Sequence, residues 1–168
     1  FCFGNIFRSL DQFKNAVKNY EKALEINSNY VEAYNNLGIV LKELGQFQTA
    51  IYQYKQALAI NPNYVEACYN LGNVFKDIGH SNDAVTYYKQ ALNLDRNIAE
   101  VHNNLALVLR DLGRLDESVK SHENALILKP DDVAAHSNFG GTLKDLGRLN
   151  EAIRSYEQAL FIDPDYAD

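Results

Sequence analysis

Positive charge is scarce in this chain. Lys and Arg total 16 against 22 Asp and Glu, for a net charge of −6. Sequence-independent binding to nucleic acid needs clustered cations against the phosphates, so nucleic acid is not an expected partner. Long apolar runs are missing as well: none approaches the roughly 20 residues of a spanning helix. No charged-then-apolar leader opens the sequence, and a membrane is not an expected partner either. There is no Met, not even at residue 1, and no Asn-x-Ser/Thr sequon. Proline occurs three times and cysteine twice. The hydrophobic fraction, 46%, is that of a soluble globular chain and argues against disorder.

What the sequence does have is a repeat. Tyr34-Asn35-Asn36-Leu37-Gly38, Cys68-Tyr69-Asn70-Leu71-Gly72, His102-Asn103-Asn104-Leu105-Ala106 and His136-Ser137-Asn138-Phe139-Gly140 align at a constant 34-residue period. A period of this size means that each unit buries its apolar face against its neighbours. In residues 31–64, Tyr34, Leu37, Gly38, Leu41 and Leu44 share one face of a first helix. Gly45 supplies a left-handed cap. Ala50, Ile51, Tyr54, Ala57, Leu58 and Ile60 mark a second helix, which Asn61-Pro62-Asn63 stops. Small residues at Gly38, Ala50 and Ala57 are expected to bring the two helices close, with Tyr54 and Leu37 filling the space beside them.

These residues carry a family resemblance. The aromatic/His-x-x-Leu-Gly pattern, followed by Ala, Tyr, Ala and Pro at fixed offsets, resembles the tetratricopeptide repeat. The resemblance implies an all-α fold, a right-handed superhelical solenoid of antiparallel helix pairs. It spans residues 1–168 as a single solenoid. A partial repeat covers 1–30, full repeats cover 31–64, 65–98, 99–132 and 133–166, and 167–168 begin another. Asp11 stands at the inter-helix glycine of the partial copy, as a residue that tolerates the left-handed conformation. Ser28 and Arg96 replace the boundary prolines Pro62, Pro130 and Pro164, so those two boundaries are expected to be less sharp. Ser118 and His122 replace the small residue and the tyrosine of the second helix. The 99–132 copy is therefore expected to pack least tightly.

With Val31 as position 1, positions 4, 7, 11 and 14 form the apolar side of the first helix, within about 80°. Positions 2, 5, 6, 9, 12 and 13 fall in the opposite arc, which the resemblance places in the concave groove. Position 6 is Asn36, Asn70, Asn104 and Asn138, with Cys2 in the partial copy. Position 5 adds Asn35, Tyr69 and Asn103, and position 9 adds Asn5 and Asn73. An amide side chain offers both a donor and an acceptor, so it can grip a peptide unit of any sequence. Repeats about 10 Å apart would meet an extended chain about every third residue. Against this stands a packing role, in which the same amides fix neighbouring repeats to one another. Position 12 is basic (Arg8, Lys42, Lys76, Arg110, Lys144) and position 13 acidic in four copies (Glu43, Asp77, Asp111, Asp145), a solvated and self-cancelling face.

Asn36, Asn70, Asn104, Asn138, Asn35, Asn73, Asn103 and Tyr69 are thus the candidate peptide-binding residues. The asparagine run is also similar to the superhelical arm of O-linked N-acetylglucosamine transferases, where asparagines hold extended substrate peptides. The resemblance carries over to Asn36, Asn70, Asn104 and Asn138. The carboxylate clamp for chaperone C-termini is excluded, because position 6 is never basic and position 2 is Glu or Ala134.

No catalytic constellation emerges, and the chain by itself is not expected to be an enzyme. His102 and His136 sit in adjacent repeats roughly 10 Å apart, too far to share a metal. No cofactor is expected. Cys2 and Cys68, about two repeats apart, exceed the roughly 7 Å Cα limit of a disulfide and are read as thiols. Reduced thiols suit a cytoplasmic or nuclear protein.

The leading expectation is a protein interaction scaffold that takes extended peptides in its groove. The alternatives are the substrate-recognition arm of a protein O-glycosyltransferase, and a structural module that self-associates into a homo-oligomer through its ends. The chain starts within a helix and stops early in a repeat, which reads as part of a longer array with uncapped ends.

Overall fold

A computed structural model describes residues 2–166, with side chains from residue 12 onward. Cys2, Asn5, Arg8, Ala167 and Asp168 therefore lie outside the described side chains. The described residues form nine α-helices and no strand, an all-α helical repeat. They fall into two compact units, one ending at Ile78 and one beginning at Gly79. The first holds α1 (Cys2–Ile26), α2 (Val31–Glu43), α3 (Phe47–Ile60) and α4 (Val65–Asp77). The second holds α5 (Ser81–Leu94), α6 (Ala99–Asp111), α7 (Leu115–Leu128), α8 (Val133–Asp145) and α9 (Leu149–Ile162).

The inter-helix turn is set by one glycine. Gly45 has φ 71°, Gly79 76°, Gly113 71° and Gly147 78°, where side chains bring strain. The Gly45 N–H donates to Lys42 O, and the Gln46 N–H reaches back to Leu41 O, both at 2.8 Å. These two bonds close a Schellman motif and satisfy carbonyls left over at the end of α2. Gly113 with Arg114 and Gly147 with Arg148 repeat both bonds.

The partial repeat differs from expectation. α1 runs unbroken from Cys2 to Ile26, and no described non-glycine residue has a positive φ. Asp11 does not turn the chain. Without glycine the left-handed cap costs about 1–2 kcal/mol, and helix propagation wins.

The boundaries between repeats depend less on proline than the sequence suggests. The Asn63 N–H donates to Asn61 Oδ1 at 3.1 Å. At Ser28 and Arg96, where proline is missing, the same side-chain bond forms: Asn29 N–H to Asn27 Oδ1 at 3.0 Å, and Asn97 N–H to Asp95 Oδ1 at 2.9 Å. The Asx side chain mimics a backbone turn and stops the helix. At both boundaries the helices stop and restart at the same positions of the repeat as elsewhere.

Inside the hairpins, an aromatic ring lies on bare backbone. A Cβ added to Gly38 would stand 2.5 Å from Tyr54 Cε1 and 2.8 Å from two more ring atoms. Gly140 meets Tyr156 the same way, at 2.7 and 2.9 Å. Tyr54, Ala50 and Ala57 are all fully buried. In α6–α7 the corresponding positions hold Ala106 and His122, a larger residue and a smaller ring. Loose packing does not follow: Ser118 and His122 are both 0% exposed. Ser118 Oγ donates to Ala106 O at 2.7 Å and lies 3.2 Å from Thr142 Oγ1. The His122 ring lies 5.7 Å from that of Phe139. Val119, Leu143 and Ala152 form a core cluster, with Phe139, Leu146 and Tyr156 packed on it.

Two buried polar groups in these contacts have no partner. The Tyr54 hydroxyl is one, and burial, with the charge of Glu43, pushes its pKa up. Tyr54→Phe removes an unsatisfied hydroxyl and should leave the unfolding free energy unchanged or higher. Tyr54→Ala should lower it by about 3–5 kcal/mol. Denaturant titrations of both variants check this, and a large loss in Tyr54→Phe would contradict it.

The two nitrogens of His122 are the other case. Burial, helped by the nearby Arg110 charge, lowers its pKa from 6.5 to about 4. The unfolded chain then binds a proton that the folded one refuses. This penalty is absent above pH 6.5, grows as pH falls, and is complete near pH 4. It should reach about 3 kcal/mol. Unfolding titrations at several pH values should show that dependence reduced in the double variant Ala106→Gly/His122→Tyr, which copies the Gly38–Tyr54 pair.

Candidate peptide-binding face

The first helices α2, α4, α6 and α8 turn their apolar side to the second helices and leave the opposite side for other work. Within the first unit α2 and α4 touch, and within the second α6 and α8 touch. The contacts share one register. Asn70 Nδ2 donates to Asn35 Oδ1 at 2.9 Å, between residues 35 apart. Lys42 Nζ lies 3.3 Å from Asp77 Oδ2, and Arg110 Nε donates to Asp145 Oδ2. Each pair joins one position of a repeat to the next position of the following repeat.

The basic and acidic columns therefore pair across repeats. The Arg110 hydrogen bond holds the Asp145 carboxyl below the usual carboxylate range. Both ion pairs are partly exposed to solvent, so they tune register more than stability. Gly141 belongs to the same arrangement. A Cβ there would stand 2.7 Å from an Arg110 guanidinium nitrogen, so this glycine makes room for the arginine as it reaches Asp145.

One pair of the asparagines has a packing role. Asn35 is 5% exposed and accepts the Asn70 amide, so this pair fastens α4 to α2. Such a bond is the packing role weighed above. An amide has two donor hydrogens and an acceptor, and Asn70 commits one donor to Asn35. Asn36, Asn70, Asn104 and Asn138 are all half-buried. Tyr69, Asn73 and Asn103 are half-buried on the same helices. In the second unit Asn103 stands where Asn35 stands in the first. Its Oδ1 is buried without a partner.

The histidines and cysteine serve the scaffold. His102 Nε2 lies 3.0 Å from Arg96 O, and His136 Nε2 2.9 Å from Pro130 O. Each ring ties a first helix to the loop before it. Cys68 occupies the same position in α4, fully buried, and burial raises its thiol pKa to about 11. It is not a nucleophile at neutral pH. No described group of His, Cys, Asp and Glu could hold a metal ion, and no described helix is long and apolar enough to cross a membrane.

Sequence reasoning missed the offset of 35, which was visible as adjacent columns of opposite charge at positions 12 and 13. The offset yields a prediction. Asn70→Ala leaves the buried Asn35 oxygen without a donor and should cost about 1–3 kcal/mol. Asn36→Ala removes a half-exposed amide and should change stability by no more than about 0.5 kcal/mol. Thermal or denaturant unfolding separates the two, and equal costs would contradict the assignment.

Comparison with known proteins agrees with this architecture. A TPR repeat model matches residues 4–45 and 40–79. Tetratricopeptide repeat models match residues 65–98 and 97–164. No curated protein matches the chain. Among solved structures, MamA is 25% identical, covering 96% of this chain and 94% of that one, with a TM-score of 0.86. YrrB, a TPR protein with an unusual peptide-binding site, is 26% identical, covering 98% and 84%, with a TM-score of 0.80. MamA 41-end from Desulfovibrio magneticus RS-1, at 18% identity, covers 98% and 97% with a TM-score of 0.85, a likeness of fold. The helical hairpins, their glycine turns and these matches agree: the chain belongs to the tetratricopeptide repeat family and is a protein-interaction scaffold.

Proposed function

We propose that this scaffold binds extended peptide segments in a concave groove lined by its first helices. Asn36, Asn70, Asn104 and Asn138 bond the peptide backbone, while Asn35, Asn73, Asn103 and Tyr69 frame them. The observation that carries the reading is the half-exposed amide at the same position of α2, α4, α6 and α8. Asparagine is a middling helix former, and a solvated helix face is better served by Glu, Lys or Gln. A ligand that uses both amide functions offsets that cost. The likeness to YrrB, itself described with a peptide-binding site, supports a peptide as the ligand class. The columns Lys42–Asp77 and Arg110–Asp145 cancel one another's charge, while Glu32, Glu66 and Glu100 at position 2 of the same arc disfavour acidic ligands.

A second reading rests on the same asparagine column. It makes this chain the substrate-recognition arm of a protein O-glycosyltransferase. The flanking reading frame tests it, since a stop codon soon after residue 168 would exclude a catalytic domain on that side. The free, buried thiol of Cys68 suits a reducing compartment, cytoplasm or nucleus, which fractionation of tagged protein checks.

The direct experiment is a titration of extended, low-charge peptides into wild type and into Asn36→Ala/Asn138→Ala. Loss of two backbone-gripping amides should weaken binding about tenfold or more. Equal affinities with an intact fold would remove the proposal.

A further inference from the structure

Within the first unit, an open groove of about 440 Å³ is lined by α1, α2 and α3. Leu24 and Leu37 give it apolar surface, Tyr34 and Tyr52 give it rings, and Glu21 and Glu25 give it carboxylates. Tyr52 is 58% exposed. None of the eight peptide-binding candidates lines this groove. Its opening is a feature of the repeat, because the second unit has a counterpart lined by α7, α8 and α9. Leu126 and His136 stand there in the places of Leu24 and Tyr34, and Arg154 in the place of Tyr52. In the second unit the chain thus supplies its own guanidinium to the groove. In the first unit the groove has carboxylates and no cation.

Glu21 and Glu25 lie one turn apart on α1, both exposed. Among the described residues neither belongs to an ion pair. Lys18 and Lys22 of the same helix do not line the groove. Like charges at this spacing weaken a helix, and a cation bound between them reverses that effect.

We propose that this groove takes an arginine side chain of a partner protein. Charge complementarity calls for a cation, and Arg154 in the counterpart groove is the internal precedent for a guanidinium. A guanidinium stacks on an aromatic face such as that of Tyr52. It also donates paired N–H bonds to a carboxylate. The methylene stem covers the apolar surface of Leu24 and Leu37. A lysine ammonium matches the charge but has neither the plane nor the fork.

The test is an NMR titration of the full chain with N-acetylarginine methylamide, whose only charge is its side chain. Saturable shifts at Glu21, Glu25 and Tyr52 are expected, with a dissociation constant of about 1 mM. Glu21→Gln/Glu25→Gln, with its fold intact by circular dichroism, should weaken binding about tenfold or more. Tyr52→Ala should weaken it about threefold or more. The matching lysine probe should bind several times more weakly than arginine. Asn36→Ala/Asn138→Ala should bind arginine as wild type does, which separates this result from failure of the peptide reading. No saturable shifts at these residues, or undiminished binding by the double glutamine variant, overturns the inference. Equal affinity for the lysine probe overturns it as well.

Discussion

The hairpins depend on a tyrosine ring that lies against backbone with no side chain. Tyr54 occupies the space a Cβ on Gly38 would need, and Tyr156 does the same at Gly140. Close packing makes that contact intolerant of added volume. It fixes how near the first helix lies to the second, and so which arc of the first helix is left uncovered. The chain varies the contact as a pair: where Ala106 adds a methyl, His122 supplies a smaller ring. The exchange preserves burial but brings in two ring nitrogens without partners, a cost that tyrosine at the same place would trade for one hydroxyl.

The uncovered arc carries contacts of its own. Successive first helices meet at an offset of one repeat plus one residue, seen in Asn35–Asn70, Lys42–Asp77 and Arg110–Asp145. Charge and amide columns that look like a solvated surface are in part the fastening between repeats. An amide with three hydrogen-bonding functions can fasten and still bind. The packing role seen at Asn35 and Asn70 is therefore compatible with the ligand role proposed for the same column.

Much of this was legible before any coordinates. Helices α2, α4, α6 and α8 begin at Val31, Val65, Ala99 and Val133, the positions where the period placed repeat starts. The glycine turns at Gly45, Gly79, Gly113 and Gly147 were equally plain, because only glycine enters that conformation without strain. What escaped was information carried by pairs of residues. Asp11 looked like a tolerable substitute for glycine, and α1 runs straight through it. Ser28 and Arg96 looked like weak boundaries, yet Asn27 and Asp95 close them with their own side chains. A list of columns gives neither a rotamer nor a partner, so the sequence could name Asn35 and Asn70 without revealing that one donates to the other.

The central claim is that a glycine under a ring sets the hairpin spacing. Two glycine-to-alanine changes test it most directly by equilibrium unfolding. At Gly38 the new methyl meets a fully buried ring, and the account predicts a loss of about 2–3 kcal/mol. At Gly141 the methyl meets only the far end of the Arg110 side chain, which can swing away, and alanine raises helix propensity. The predicted change there is within about 1 kcal/mol of zero. If Gly38→Ala proves as mild as Gly141→Ala, the ring does not set the spacing and the account is wrong.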